Sequence, residues 1–243
     1  MHRFYAAGRI EENAIAALTP EDARHAVQVL RIRPGDEAEL FSGGQRWLCR
    51  AESVTPKEVL FRSVTLLPST EPAHDLILYQ GLPKADKMEW IVQKAVELGV
   101  RRIVPVAMSR SVVRLDERDA DKKRERWQRI AHEACKQSGR CEEPTVDRPI
   151  SVRALAEELR GLDASVVPWE EAHGLTLPAF RADHPEAMRI GIVIGPEGGI
   201  EPQEIDLLVG AGCLPVTLGP RILRTETAGL ASLAVLLSLY GEM

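Results

Sequence analysis

Residues 190–199 read IGIVIGPEGG, and residues 215–228 read PVTLGPRILRTETA. Each begins as a short apolar run and breaks into a loop containing glycine. An apolar run of four to eight residues bounded by turn formers fits a buried strand. After the first loop, a helix is predicted from Pro202 to about residue 211. After the second, a helix is predicted over 225–240, with Thr225 a candidate N-cap. Working toward the N-terminus, the same alternation recurs. Ala164–Pro168, Ile103–Val106 and Leu76–Gln80 read as strands. Asp86–Leu98 reads as a helix with Met88, Ile91, Val92, Ala95 and Leu98 on one face and Gly99 as its stop. Asp121–Ser138 reads as a long amphipathic helix that turns Trp127, Ile130, Ala131, Ala134 and Cys135 inward. Ser151 caps a helix through Leu159. Alternating strands and helices predict an α/β domain over residues 74–243, with a parallel sheet covered on both faces.

Residues 1–68 have a different texture. Ala38–Phe41 and Trp47–Ala51 flank the turn Ser42-Gly43-Gly44-Gln45, and Val59–Phe61 runs on loosely toward Val64 and Leu66. A helix over Pro20–Leu30, capped by Thr19 with Pro20 in its first position, interrupts these strands. The stretch Pro68–Asp75 is polar and carries two prolines, which marks a linker between two domains.

The chain has 243 residues and a net charge of −5. Residues 101–140 depart from that balance, with twelve basic against six acidic side chains. Such a segment is either an electrostatic footprint for nucleic acid or a solvated helix face with ion pairs. The longest apolar stretch, Leu230–Tyr240, is too short to span a bilayer, so no membrane association is expected. Four cysteines without a CxxC pair predict reduced thiols in a cytoplasmic protein. His132 and Cys135 lie three apart on a helix, but no further ligands stand at recognisable spacing, so no metal is expected.

Chemistry concentrates in the two loops. In an open α/β sheet, ligands sit beyond the carboxyl ends of the strands. Gly195, Gly198 and Gly199 allow close backbone approach there, although an ordinary strand-to-helix turn also uses glycine. Arg221, Arg224 and Glu226 put charge between an apolar strand and an apolar helix, where they need partners or a function. Neither GxGxxG nor GxxxxGK[ST] is present. A nucleoside cofactor without a phosphate to cradle, such as S-adenosyl-L-methionine (SAM), suits that pattern, with Val167-Pro168-Trp169 as a further wall.

These stretches resemble the signature loops of the ribosomal small-subunit uridine-N3 methyltransferases, a family of the knotted SPOUT class. Further matches are Lys84–Trp90 with Lys94–Gly99, Ser109-Arg110-Ser111, Glu133–Arg140, His2-Arg3-Phe4, His25 with Val29-Leu30-Arg31, and Gly35-Asp36. Together they run through nearly the whole chain in order. Glu201 departs from the family, which usually places serine or a similar cap after the glycine loop. The resemblance implies a PUA-like RNA-binding β-barrel at residues 1–68 and a C-terminal trefoil knot holding bent SAM. It also implies a homodimer acting on 16S rRNA or the small ribosomal subunit.

SAM is expected against Pro168, Trp169, Ile194, Gly195, Gly198, Gly199, Leu218, Gly219, Ile222, Leu223, Thr225 and Ala228. Methylation at N3 requires loss of the N3 proton and stabilisation of the resulting charge. Arg224 is the candidate for that charge. Glu226 and Glu197 are rival candidates for the base, or for orienting Arg221 and Arg224. RNA contacts are expected from Arg3, His25 and Arg31 in the first domain, and from Lys84, Lys87, Arg110, Arg114, Lys136 and Arg140 in the second. The competing readings are a non-catalytic ribosome-assembly factor and a knotted methyltransferase for another RNA position.

Overall fold

A computed structural model describes residues 1–243. It divides into two compact units, Met1–Glu71 with Cys135–Glu143, and Pro72–Ala134 with Pro144–Met243. The linear boundary expected near residue 70 therefore has an addition: residues 135–143, far along the chain, are part of the first unit.

In the first unit, β1 (His2–Tyr5), β2 (Ile15–Ala17), β3 (Glu37–Ser42), β4 (Gln45–Val54) and β5 (Val59–Leu67) form one sheet in the order β1-β3-β4-β5-β2. β1 pairs with β3 in parallel and the other pairs are antiparallel. The two edge strands meet where Ala6 bridges Leu18, so the sheet curls back on itself and hides its open edges. Phe4, Leu40, Trp47 and Phe61 fill the interior. The predicted helix over Pro20–Leu30 is α-helical only for Pro20–His25 (α1). Ala26–Leu30 continue as a π-helical turn, which Arg31 ends at φ 54°. Thr19 caps α1 as expected, accepting the Asp22 N–H at 3.2 Å.

Residues 135–143 are tied into this unit by polar contacts. Arg140, expected at the RNA surface, is instead 4% exposed and donates to Glu71 Oε2 through Nε at 3.0 Å and Nη2 at 2.6 Å. The other Glu71 oxygen accepts the N–H groups of Cys141 and Glu142 at 2.6 and 3.1 Å. A guanidinium is buried only when paired, and this pairing removes Arg140 from the RNA-binding set. Lys136 is likewise committed, at 2.8 Å from the buried Asp22, which also accepts the Tyr5 N–H. Tyr5 in turn places its hydroxyl 2.9 Å from the Cys135 sulfur.

The second unit is built on a parallel sheet. Its strands are β6 (Asp75–Gly81), β7 (Arg102–Ala107), β8 (Thr145–Val146), β9 (Ile150–Ser151), β10 (Ala164–Pro168), β11 (Arg189–Ile194) and β12 (Leu214–Val216). The order is β12-β10-β11-β6-β7-β8, with β9 also on β7, and every pair is parallel. The helices are α2 (Lys87–Glu97), α3 (Glu117–Ser138, whose residues from Cys135 on belong to the first unit), α4 (Val152–Leu159), α5 (Leu177–Asp183), α6 (Pro202–Gly210) and α7 (Thr225–Leu239). α3 starts four residues earlier than the apolar periodicity announced, because Glu117, Arg118 and Asp119 are exposed and polar and extend no apolar stripe.

Alternate residues of each central strand face opposite layers. Ile77 and Tyr79 of β6 pack with Val104, Val106, Val193 and residues of α4 and α6. On the other face, Gly229 of α7 brings that helix against Leu78, Gln80 and Ile194, where even a Cβ would lie 3.3–3.4 Å from them. β6, first in the chain, lies inside the sheet between β7 and β11. The chain therefore changes direction there, and the crevice expected at such a point opens beyond the ends of β6 and β11.

Candidate functional site

Gln80 at the end of β6 lies in register with Ile194 at the end of β11. The loops that follow are in backbone contact. A Cβ on Gly81 would sit 2.6 Å from the Pro196 nitrogen and 2.9 Å from the Gly195 carbonyl carbon. Sequence reasoning missed Gly81, whose role arises from a segment more than a hundred residues away. Main-chain atoms cannot rotate aside as a side chain can, and overpacking costs about 1–3 kcal/mol. Gly81→Ala is therefore expected to lower Tm by roughly 2–12 °C and to weaken ligand binding at this site about tenfold or more. Thermal melting and calorimetry check this; unchanged values in both would show that the loops tolerate separation.

Thr225 does not cap α7. Arg224 occupies the N-cap position and Thr225 is the first helical residue. Its hydroxyl instead donates to Gly195 O at 2.5 Å and accepts from Gln80 Nε2 at 2.8 Å. This buried relay joins the glycine loop, the central strand and the start of α7, so the two loops singled out in the sequence are fixed to each other.

Both loops line one cavity of about 480 Å³, which includes Ile194, Gly195, Gly198, Gly199, Leu223, Arg224 and Thr225. A neighbouring cavity of about 520 Å³ takes in Trp169, His173, Leu218, Gly219 and Arg221. Pro168, Glu170, Ile222, Leu223 and Ala228 line both. Ile222 is 88% exposed despite its apolar side chain. With Pro168, Leu223 and Ala228 it adds an apolar stretch to the lining that the two cavities share.

Lys87 opens α2 and reaches into the first cavity. Its Nζ lies 2.9 Å from Glu197 Oε1 and 3.1 Å from Glu226 Oε2. Glu197 also accepts the Lys84 N–H at 3.2 Å. The expectation that Glu197 and Glu226 orient Arg221 and Arg224 is thus corrected: both hold Lys87, and neither arginine is ion-paired. Partial burial pushes both carboxyls up. For Glu197 this is outweighed by hydrogen bonds from Lys87 and from backbone N–H groups, including that of Lys84. For Glu226 it is outweighed by backbone N–H donation, then by Lys87. Both carboxyls end below the usual glutamate range. For Lys87, the hydrogen bonds to Glu197 and Glu226 raise its pKa above that of a free lysine.

Arg224 is exposed and has no ion pair or side-chain hydrogen bond. It is an exposed cation at the cavity wall whose field helps to lower the Glu226 pKa. Glu201 serves as the N-cap of α6. Its N–H donates to Glu204 Oε2 at 3.2 Å, while Glu204 Oε1 accepts the N–H and hydroxyl of Ser109 at 2.8 and 3.1 Å. Glu204 thereby anchors the loop that carries Arg110, which donates to Gly198 O at 3.1 Å.

The family model for an RNA methyltransferase domain matches residues 70–237, and that for an RNA methyltransferase PUA domain matches residues 18–62. The Bacillus subtilis protein named ribosomal RNA small subunit methyltransferase E is 38% identical over 237 residues, covering 94% of this chain and 91% of its own. The chain belongs to the ribosomal RNA small subunit methyltransferase E family. Among solved structures, a family member from Neisseria gonorrhoeae bound to S-adenosyl methionine matches with a TM-score of 0.82 and 34% identity, covering 99% of this chain and 98% of its own. A putative methyltransferase from Legionella pneumophila in complex with SAM matches with a TM-score of 0.81 and 33% identity, covering 97% and 96%.

Within this methyltransferase E family chain, the basic residues nominated for RNA fall into distinct groups. Lys84, Arg110 and Arg114 are exposed on loops leaving the ends of β6 and β7. Lys87 is bound into the cavity wall rather than free. In the first unit, His25 and Arg31 are exposed, and Arg3 lies 3.5 Å from Glu39.

Proposed function

We propose that the chain transfers the methyl group of SAM to N3 of a uridine in 16S rRNA of the small ribosomal subunit. The observation that carries this reading is the convergence of the two glycine loops on one cavity at the sheet's crevice. The donor set fits SAM. Close-set backbone at Gly195, Gly198, Gly199, Leu218 and Gly219 offers N–H and C=O partners. Pro168, Trp169, Ile194, Ile222, Leu223 and Ala228 offer apolar walls, and Thr225 fixes the loops in place. No basic phosphate cradle is needed, because the ligand has no phosphate. Bound SAM supplies an electrophilic methyl group.

The protein's residues prepare the other reactant. Arg224 stands ready to stabilise charge on a uracil oxygen as N3 loses its proton. Glu197 and Glu226, with depressed basicity, suit holding Lys87 more than taking a proton. The sequence of strands supports the trefoil-knot reading: β11 is inserted between β6 and β10, and the chain after β12 returns to pack α7 on β6 and β11. The curled first sheet supports a PUA-like barrel over residues 1–68 that engages RNA through Arg3, His25 and Arg31. Lys84, Arg110 and Arg114 extend phosphate contacts on the methyltransferase domain of residues 74–243. A homodimer completes the RNA site.

The deciding experiment incubates the chain with SAM and small subunits lacking the modification, then digests the rRNA to nucleosides for mass analysis. 3-Methyluridine is the expected product. A methylated ribose or another base would refute the target, and absence of SAM binding with normal RNA binding would indicate an assembly factor.

The charge clamp makes a further prediction. Glu197 and Glu226 have lowered pKa values, so their contribution is present above the ordinary glutamate value of about 4.3 and is lost as pH falls through the folded values. Lys87 has a raised pKa, so its contribution is complete below about 10.4 and is lost only as pH rises through the folded value. The clamp is therefore expected to stay fully charged from about pH 6 to 9. Over that range the single-turnover rate should rise with ionisation of the uridine N3–H, and Glu226→Gln should leave that limb in place. An inflection near neutrality that disappears in Glu226→Gln would assign the base to Glu226.

A further inference from the structure

The two cavities share five lining residues, and Glu170 is the single charged one. It follows β10 in a tight turn closed by the Ala172 N–H donating to Trp169 O at 3.0 Å, and Trp169 is itself held by its N–H on Val216 O at 3.1 Å. The turn directs Glu170 to both cavities, whereas its neighbour Glu171 lines neither. The Glu170 carboxylate lies over Gly199, where a Cβ would come within 3.0 Å of its Oε1. Gly199 adopts φ +75° and leaves that space open. Glu170 is exposed and takes part in no hydrogen bond or ion pair. An ionised carboxylate only accepts, so its complement in a ligand is a hydrogen-bond donor.

SAM has three uncharged or cationic donor groups: the adenine amine at one end, the amino-acid ammonium at the other, and the ribose hydroxyls in the middle. A ligand spread over two adjoining cavities places its ends in the separate cavities and its middle at their junction. Glu170 stands at that junction. We propose that Glu170 is a specificity-determining residue of the cofactor site, accepting hydrogen bonds from the vicinal 2′- and 3′-hydroxyls of the SAM ribose. Two hydroxyls matched to one carboxylate also distinguish a ribonucleoside from a deoxyribonucleoside or a free thioether amino acid. This inference rests on the assignment of the paired cavities to SAM.

The test is calorimetric and does not use turnover. The full chain is titrated with S-adenosylhomocysteine and with its 2′-deoxy analogue, using wild type, Glu170→Ala, Glu170→Gln and Glu171→Ala. Hydrogen bonds to a charged acceptor predict a loss of about 10- to 100-fold for Glu170→Ala with the ribose ligand. Wild type should lose a similar factor on removal of the 2′-hydroxyl, and Glu170→Ala should lose little more. Glu170→Gln, which keeps one acceptor oxygen, should fall between, and Glu171→Ala should match wild type. Equal further loss from the deoxy analogue in wild type and Glu170→Ala overturns the ribose assignment. So does a Glu170→Ala variant that binds S-adenosylhomocysteine as wild type does. Failure of wild type itself to bind S-adenosylhomocysteine would overturn the cofactor site as a whole.

Discussion

Arg224→Ala is expected to reduce single-turnover methylation by about 10²- to 10³-fold while changing affinity for S-adenosylhomocysteine only a few-fold. Arg224 sits at the start of α7, where the free N–H groups of a 15-residue helix already favour negative charge. No carboxylate forms an ion pair with it: Glu226, two residues away, feels its charge but is bound to Lys87. The protein thus keeps one carboxylate–ammonium cluster internally satisfied and leaves the guanidiniums of Arg221 and Arg224 unpaired, of which Arg224 lines the same cavity as that cluster. A donor aimed at developing charge acts mainly in the transition state, so its removal should lower kcat rather than cofactor affinity. The cofactor's expected partners are backbone groups and apolar walls, which Arg224→Ala leaves intact. Arg224→Lys should recover only part of the rate, since a single ammonium does not reproduce the planar fork. Rapid-quench assays on small subunits read the rate, and calorimetry reads the affinity. Wild-type turnover in Arg224→Ala would remove it from the mechanism; a parallel collapse of affinity would make it a binding residue.

Features governed by neighbours in sequence were legible before the structure. β10 runs over Ala164–Pro168 as read, Ser151 caps α4 through the Ala154 N–H, and the inward face of α2 carries Met88, Ile91, Val92 and Ala95. The glycine loops were legible because glycine at the carboxyl end of an apolar strand is a local signal. What stayed hidden was set by distant partners. Gly81 has no motif, and only the backbone at Gly195–Pro196 gives it meaning. Lys87 was expected at the RNA surface because its partners Glu197 and Glu226 are far along the chain. Glu170 carried no signal in the sequence, since only the turn after β10 decides that it and not Glu171 lines the cavities. Short α5 has a small apolar face, with Leu177 and Phe180 buried, too little for a periodic pattern. Arg140 looked like an RNA contact because its segment is basic. Its burial depends on Glu71, 69 positions earlier.

That last misreading leads to the largest expected effect on stability. Glu71→Ala should destabilise the first unit by about 3–5 kcal/mol, because it removes the carboxylate that the buried Arg140 guanidinium donates to through Nε and Nη2. The same change removes the acceptor of the Cys141 and Glu142 N–H groups, so four donor groups lose this acceptor at once. Removing both charges is a different experiment. A buried ion pair replaced by apolar groups of similar size is often tolerated, so Glu71→Met with Arg140→Met should cost less than Glu71→Ala alone. The two backbone N–H groups still lack their acceptor in the double variant, which keeps it below wild type. Urea unfolding followed by probes in each unit measures the effect. The residues lining both cavities all belong to the second unit, so cofactor affinity should persist in the variants under native conditions. Equal destabilisation by Glu71→Ala and the double variant would mean that the two backbone N–H groups, not the broken Arg140–Glu71 pair, set the loss. Wild-type stability in Glu71→Ala would show that the Arg140–Glu71 pair contributes nothing net to holding residues 135–143 in place.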